Sequence, residues 1–507
     1  MNKVDIDYLN DPTVSVFIDP EMTAYPQKAP FHPSETFPEY PFGQDDISDE
    51  VNKVYAAVRT LFHQLGYDEG HFGTTSWNPL KGLVHPGDTV VLKPNFVLDA
   101  NMRAGGGTDE LITHGSVIRA VADYVYIALE GKGKIILGDA PDAGANFDHL
   151  VVQMGLDELQ KFYPRTDDFC FELLDYRQFR FIYNENGVIE NNARLSLDGD
   201  PNGYTVFDLG KNSAFEGLEN IENIYGADYD RSETLKHHSG GKHEYCISGT
   251  ILKADVFISL PKMKTHRKSG ATLNLKNLVG INGNKNYLPH FRIGAPDDGG
   301  DEFPMLNQQQ KTAYYTKRKM VDRLLVNPNP VKDFLFKTMA AVYRFIKPIV
   351  FKTVDEKKDL LAGGWYGNET VWRMILDLNR ILVYGDADGN LQDTPQRRIF
   401  SVMDGVVAGD GDGPLAPERK ECGALLAGRN TLCMDYIALR MMGLDARKIP
   451  LYKQLSPQMD YPLTYVNPQD LVVACNNEEA KRYVGHDTSV SLHFCPAPGW
   501  IGHIELE

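Results

Sequence analysis

Residues 254–266, ADVFISLPKMKTH, decide how this chain reads. Val256, Phe257, Ile258 and Leu260 make an apolar run without polar alternation. Such a run suits a strand buried on both faces, the habit of parallel sheets. It stops at Pro261, and a basic segment follows at once. The same plan recurs outward along the chain. Residues 87–97 (GDTVVLKPNFV) open on a turn and read as a buried strand ending in a polar loop. Residues 134–137 (KIIL) read as another, ending at Gly138-Asp139-Ala140-Pro141. Helices are predicted over 115–129, 147–162 and 431–442, and near residue 51 Val51, Val54, Tyr55, Val58, Leu61 and Phe62 share one helical face. Strands are predicted over 170–175, 399–403, 424–426 and 471–474. Apolar strands alternating with helices predict an α/β fold, a mainly parallel sheet flanked by helices.

Four stretches divide the 507 residues. Residues 1–50, rich in Pro, Tyr and Phe, read as an extended N-terminal arm with a β-prone piece at 14–18. Residues 51–304 form the first part of the α/β core, with a polar, loop- and β-rich insertion at about 180–250. Residues 305–370 read as a basic helical insertion, and 371–507 as the second part of the core. Within 305–352 ten Lys/Arg face two Asp, so this segment carries +8 and the remainder −25 of the chain's net −17. Residues 331–347, from Val331 to Lys347, read as an amphipathic helix with an apolar stripe of Leu335, Met339, Val342 and Ile346. Lys337, Arg344 and Lys347 lie opposite. The stripe suits packing on the body or on a second subunit; the basic face suits anionic lipid, a peripheral membrane contact.

Composition limits the function classes. Hydrophobic residues at 42% and charged residues at 24% are ordinary for a globular chain. The acidic balance opposes nucleic acid as a partner. The six cysteines are scattered, with no CxxC pair, which argues against an iron–sulfur module or a zinc knuckle and for reduced thiols in the cytoplasm. The first residues lack a secretory pattern, and no window has the uncharged apolar length of a membrane span.

Ligands of open parallel sheets bind beyond the carboxyl ends of the strands. Three expected strand ends carry polar clusters: Lys93-Pro94-Asn95, Asp139-Ala140-Pro141-Asp142 and residues 261–266. The last opens the richest stretch, PKMKTHRKSGATLNLKNLVGINGNK, over 261–285. Its lysines, amides and glycines suit a phosphate or carboxylate. Here Lys262, Lys276, Asn277 and Lys285, with Lys93, Asn95 and His114, are expected to hold the anion. Lys264 and His266 are the catalytic candidates, His266 as acid or base. A second stretch, MDGVVAGDGDGP at 403–414, reads as an Asp/Gly turn set. Its Asp404, Asp410 and Asp412, with Asp139, are candidate ligands of a divalent metal. His114 also stands with Thr113 at an expected helix start, where anions are favoured. His237, His238 and His243 lack a placed carboxylate or Cys and read as ordinary loop residues. No P-loop, Rossmann, GxSxG or HExxH pattern is present.

Taken together, VVLKPNFV, GDAP, ADVFISLPKMKTHRKSGATLNLKNLVGI, MDGVVAGDGDGP and LCMDYIALRMMGLD resemble the landmarks of the domain of unknown function 362 family, across about residues 87–445. The resemblance implies a fold and a pocket rather than a reaction, and adds Asp435 to the candidate positions. Some members carry ferredoxin-like cysteine motifs, which this chain lacks. The leading expectation is an enzyme acting on a small anionic, phosphorylated or carboxylated substrate, with metal assistance left open. A non-catalytic ligand-binding or assembly protein at the membrane surface and a redox protein like the iron–sulfur relatives are the alternatives.

Overall fold

The computed structural model describes residues 6–43, 46–183, 189–226, 231–304, 308–325, 331–332, 334–335, 338–339, 360 and 362–507. Sixteen strands are described: β1 (Thr13–Ile18), β2 (Thr89–Pro94), β3 (Gly133–Asp139), β4 (Phe169–Asp175), β5 (Phe179–Tyr183), β6 (Ile189–Ser196), β7 (Tyr204–Asp208), β8 (Ile224–Gly226), β9 (Glu244–Ser248), β10 (Val256–Leu260), β11 (Lys262–His266), β12 (Gly270–Thr272), β13 (Pro289–Arg292), β14 (Arg398–Asp410), β15 (Glu418–Gly428) and β16 (Val472–Cys475).

The fold is α/β. Its main sheet runs β16-β1-β15-β14-β10-β2-β3-β4, with β11 and β12 attached beyond β14. The block β14-β10-β2-β3-β4 is parallel throughout, and β15 is antiparallel to both its neighbours. Alternate side chains of the parallel strands enter two cores. Val90, Leu92, Ile135, Leu137, Val256 and Ile258 pack with helices Lys53–Gln64 and Gly115–Leu129. Val91, Ile136, Phe257 and Ile399 pack on the other face with helices Val371–Tyr384 and Thr431–Met442. Covering both faces is why these strands read as unbroken apolar runs.

Three sequence expectations change. The single helix expected over 147–162 is two, Phe147–Gln153 and Leu156–Phe162. Gly155 between them has φ +62°, and a Cβ there would press on Ala29 and Phe31. The acidic stretch 403–414 is mostly strand: β14 runs to Asp410, long enough to pair β10 and then β11. Residues 14–18, expected within an arm, lie in β1, an interior strand between β15 and β16. Between β4 and β10, the pairs β5–β6 and β7–β9, and β8 with the later β13, make small antiparallel ribbons. The helix expected over 331–347 falls largely outside the described residues.

Candidate functional site: a lysine-lined cavity at the strand ends

The three polar strand ends meet. A cavity of about 460 Å³ lies at the ends of β2, β3 and β10, lined by Lys93 near the end of β2 and Asn95 just after it, by Asp139 at the end of β3 and Ala140 through Asp142 beyond it, and by Lys264 and His266 of β11. The right-handed βαβ connections of a parallel sheet put these ends on one edge. Lys268, Thr272, Lys276, Asn277, Gly280 and Lys285 complete the floor. Of the expected anion-site residues, Lys93, Asn95, Lys264, His266, Lys276, Asn277 and Lys285 are therefore brought together.

The polar contacts sort these groups. Lys93 Nζ lies 2.7 Å from Asp139 Oδ1 and donates to Asn277 Oδ1 (3.0 Å) and Pro94 O (2.7 Å). Asn277 also accepts from Asn95 Nδ2 (3.3 Å) and donates to Lys93 O (3.1 Å) and Ser259 Oγ (3.2 Å). Its amide is fully used inside the protein, so it orients Lys93 and Asn95. Lys264 Nζ donates to Leu111 O (2.6 Å) and Lys285 Nζ to Ala140 O (2.8 Å). Among the described residues, Lys264, Lys268, Lys276 and Lys285 have no carboxylate in ion-pair contact. Burial, reinforced by neighbouring amines, pulls Lys276 down to about 7. Burial likewise brings Lys268 and Lys285 to about 8 and Lys264 well below its ordinary value. Asn95 Oδ1 and Thr272 Oγ1 are buried at the cavity without a hydrogen-bond partner among the described residues.

The short helix Asn274–Asn277 delivers Lys276 and Asn277. Asp435, on helix Thr431–Met442, grips its start: Oδ1 accepts from Asn274 N (2.8 Å), and Oδ2 from Leu275 N (3.0 Å) and Tyr452 OH (3.0 Å). Asp435 thus acts through the helix that carries the lysine.

The opposite wall is apolar and aromatic. Tyr225 stacks on Phe291 with ring centroids 5.0 Å apart, beside Leu288, Val279 and Val97. Arg318 of helix Gln308–Leu325 lies over Tyr225 (4.8 Å) and pairs with buried Glu302. Lys311 and Tyr315 of the same helix bind Asp298 (2.9 and 3.0 Å).

The other expected site residues are placed elsewhere. Lys262 and Asp404 form a buried pair (2.9 Å) closed by Tyr25, whose hydroxyl donates to Asp404 (2.6 Å) and accepts from Lys262 (2.7 Å). His114 donates its backbone N–H to the same carboxylate (3.0 Å), stacks on Tyr25, and caps the next helix by accepting from Ser116 N. Burial takes its imidazole down to about 4, so the ring is neutral. This cluster rivets the arm to β11 and β14 and does not line the cavity. A β-bulge against β14 between Lys262 and Lys264 separates the two lysines' surroundings.

The expected metal set is not assembled. Asp139 serves Lys93, Asp404 serves Lys262, Asp410 pairs with Lys420 (3.1 Å) and Asp412 with Arg267. Among the described residues no three His, Cys, Asp or Glu are grouped as metal ligands, and that includes His237, His238 and His243. His237 pairs with Glu244 and His238 with the Tyr287 carbonyl.

Sequence reasoning missed His290, Thr272, Tyr225, Phe291 and Arg318, all on the cavity wall. Thr272 lies inside the 261–285 stretch and Arg318 in the basic segment, but neither residue type stood out there. His290, Tyr225 and Phe291 belong to segments without a period or motif, and only the adjacency of β8 and β13 brings Tyr225 and Phe291 together.

Among proteins of known description, the thylakoid-associated protein sll1697 of Synechocystis sp. is 22% identical over 435 residues, covering 84% of this chain and 83% of that one. A crystal structure of a protein from Thermotoga maritima is matched at 9% identity with a TM-score of 0.27, covering 73% of this chain. This chain spans about 56% of that solved chain. The family described as Domain of unknown function (DUF362) matches residues 187–440, half of the chain, from β6 through β10, β11, β14 and β15 to helix Thr431–Met442. The chain belongs to the DUF362 family.

Proposed function

We propose that the cavity binds a small molecule bearing several negative charges and an apolar portion, and that the protein is an enzyme acting on it. One observation carries this reading: four lysines, Lys264, Lys268, Lys276 and Lys285, border a single cavity with no carboxylate in ion-pair contact among the described residues. Burying so many amines without counter-charge is costly, and an anionic ligand removes that cost. Phosphate or carboxylate oxygens would take the amines, the unpartnered Asn95 Oδ1 and Thr272 Oγ1 would bind ligand hydroxyls or amides, and Tyr225 and Phe291 would face the apolar part. With each candidate aspartate occupied by a lysine or arginine, the reading needs no metal. Calorimetry with pyrophosphate at pH 7 tests it. Binding is expected, with Lys276→Ala weakening it about 10- to 100-fold, the loss of one charge-assisted contact. Equal binding by the variant sinks the assignment.

A second reading concerns location. No helix among the described residues is long and apolar enough to cross a membrane. Val331 and Phe334, each 69% exposed, and Leu335 stand out in the basic segment, and one relative's name calls it thylakoid-associated. Basic charge beside exposed apolar side chains supports peripheral contact with anionic lipid. Co-sedimentation with phosphatidylserine vesicles at low salt is expected to deplete the protein from solution, and a Phe334→Glu/Leu335→Glu variant to stay in the supernatant. Failure of the unaltered chain to sediment rules this reading out.

A further inference from the structure

His266 and His290 both line the cavity, and their Nδ1 atoms face opposite partners. His266 Nδ1 lies 3.0 Å from the backbone N of Lys268 and 3.2 Å from that of Ser269. A backbone N–H only donates, so this Nδ1 presents a lone pair, and a neutral ring carries its proton on Nε2. His290 Nδ1 lies 2.9 Å from the carbonyl oxygen of Leu288. A carbonyl only accepts, so here Nδ1 carries the proton and Nε2 holds the lone pair. Burial comes first in keeping both rings neutral. Lys276, Lys268 and Lys264 add to it at His266, and Lys268, Lys276 and Lys285 at His290, so both lie well below the ordinary histidine range. Neither Nε2 has a protein hydrogen-bond partner among the described residues. Both rings border the cavity, one with a fixed Nε2 donor and the other with a fixed Nε2 acceptor.

We propose that this cavity performs proton transfer on an anionic carbonyl compound, with His290 Nε2 as the base and the His266 Nε2–H group as the donor to the carbonyl oxygen. The assignment rests on the anion-binding reading above. In the forward step the C–H bond next to the carbonyl breaks, and its proton becomes the second N–H of His290. The bond's electron pair forms a carbon–carbon double bond, and the carbonyl π pair moves onto oxygen, where His266 and the lysines meet the charge. With a hydroxyl on the carbon that lost its proton, the intermediate is an enediolate. That hydroxyl's proton passes to the neighbouring oxygen as His290 returns its own proton to the former carbonyl carbon, so a carbonyl forms at the adjacent position, His290 is neutral again and His266 keeps its N–H. No oxidant, reductant or second substrate enters, so the net change is an isomerisation. The substrate's negative charge offsets the amines that hold His290 neutral, so the base gains strength only when the cavity is filled. His266, which the sequence cast as an acid or base, keeps its proton and acts as a donor.

The test is nitrogen NMR of the full chain labelled with ¹⁵N-histidine, with and without saturating pyrophosphate, binding being followed by calorimetry on the same samples. His266→Gln and His290→Gln supply the assignments. The free protein is expected to show His266 protonated at Nε2 and His290 at Nδ1. With pyrophosphate bound, the His290 titration midpoint is expected to rise by about one pH unit or more, while His266 stays neutral. Binding with both rings in the same tautomer, or with an unmoved His290, overturns the proton-transfer assignment and leaves the anion reading standing. No binding of pyrophosphate overturns both.

Discussion

Two lysines two positions apart, Lys262 and Lys264, show what single residues contribute. Both are fully buried, yet Lys262 meets a carboxylate and a phenol while Lys264 meets a backbone carbonyl at the cavity wall. A buried pair loses heavily when one partner goes, because the other charge is stranded. Lys262→Ala is therefore expected to cost about 3–5 kcal/mol of stability, read as a lower midpoint in urea. The folded fraction should still bind pyrophosphate within about threefold of the unaltered chain, since no direct ligand contact is removed. Lys276→Ala should do the reverse, weakening binding while sparing or raising stability. A large loss of affinity in the Lys262 variant would return that lysine to the binding set.

At the scale of elements, the approach of the turn after helix Asn274–Asn277 to the ends of β2 and β3 sets the cavity floor. Gly280 makes that approach. Its carbonyl accepts from Ala140 N (2.9 Å), and a Cβ there would collide with the Asp139 carboxylate and the Lys93 amine. Gly280→Ala is expected to push this pair apart, costing about 1–3 kcal/mol and reducing pyrophosphate affinity together. An unchanged urea midpoint would mean the turn moves away freely. Asp435 works at the same scale: by holding two backbone N–H groups it fixes the helix that aims Lys276, a role no reading of its own neighbourhood could supply.

Over the whole molecule, buried amines link stability to pH. In the unfolded chain each lysine titrates near its ordinary value, about 10.4, whereas folding lowers Lys276 to about 7 and Lys268 and Lys285 to about 8. Between these limits the unfolded state holds more protons, so stability of the ligand-free protein rises with pH. Glu302 and Asp435, raised to about 7 by burial, oppose this trend only at lower pH. The melting temperature without ligand is expected to increase from pH 7.5 to 8.5, while pyrophosphate affinity falls over the same interval as the amines lose their protons. A flat or falling melting curve would show that these lysines stay charged in the empty cavity.

What the sequence determined by itself was local and periodic. Val256–Leu260, Gly115–Leu129 and Thr431–Met442 carry their structure in their own spacing and caps, and the rule that parallel strands present their carboxyl ends together located the edge where Lys93, Asp139 and Lys264 meet. Tertiary structure decided which polar groups are spent and which remain. Asp404 lies far along the chain from Lys262, Asp412 from Arg267 and Asp139 from Lys93. Pairing over such separations depends on strand order and register, which leave no trace in the neighbourhood of either residue. For the same reason four aspartates that looked like metal ligands became counter-ions. His290 and the aromatic wall, set in unpatterned segments, came into view only once β8 and β13 were side by side.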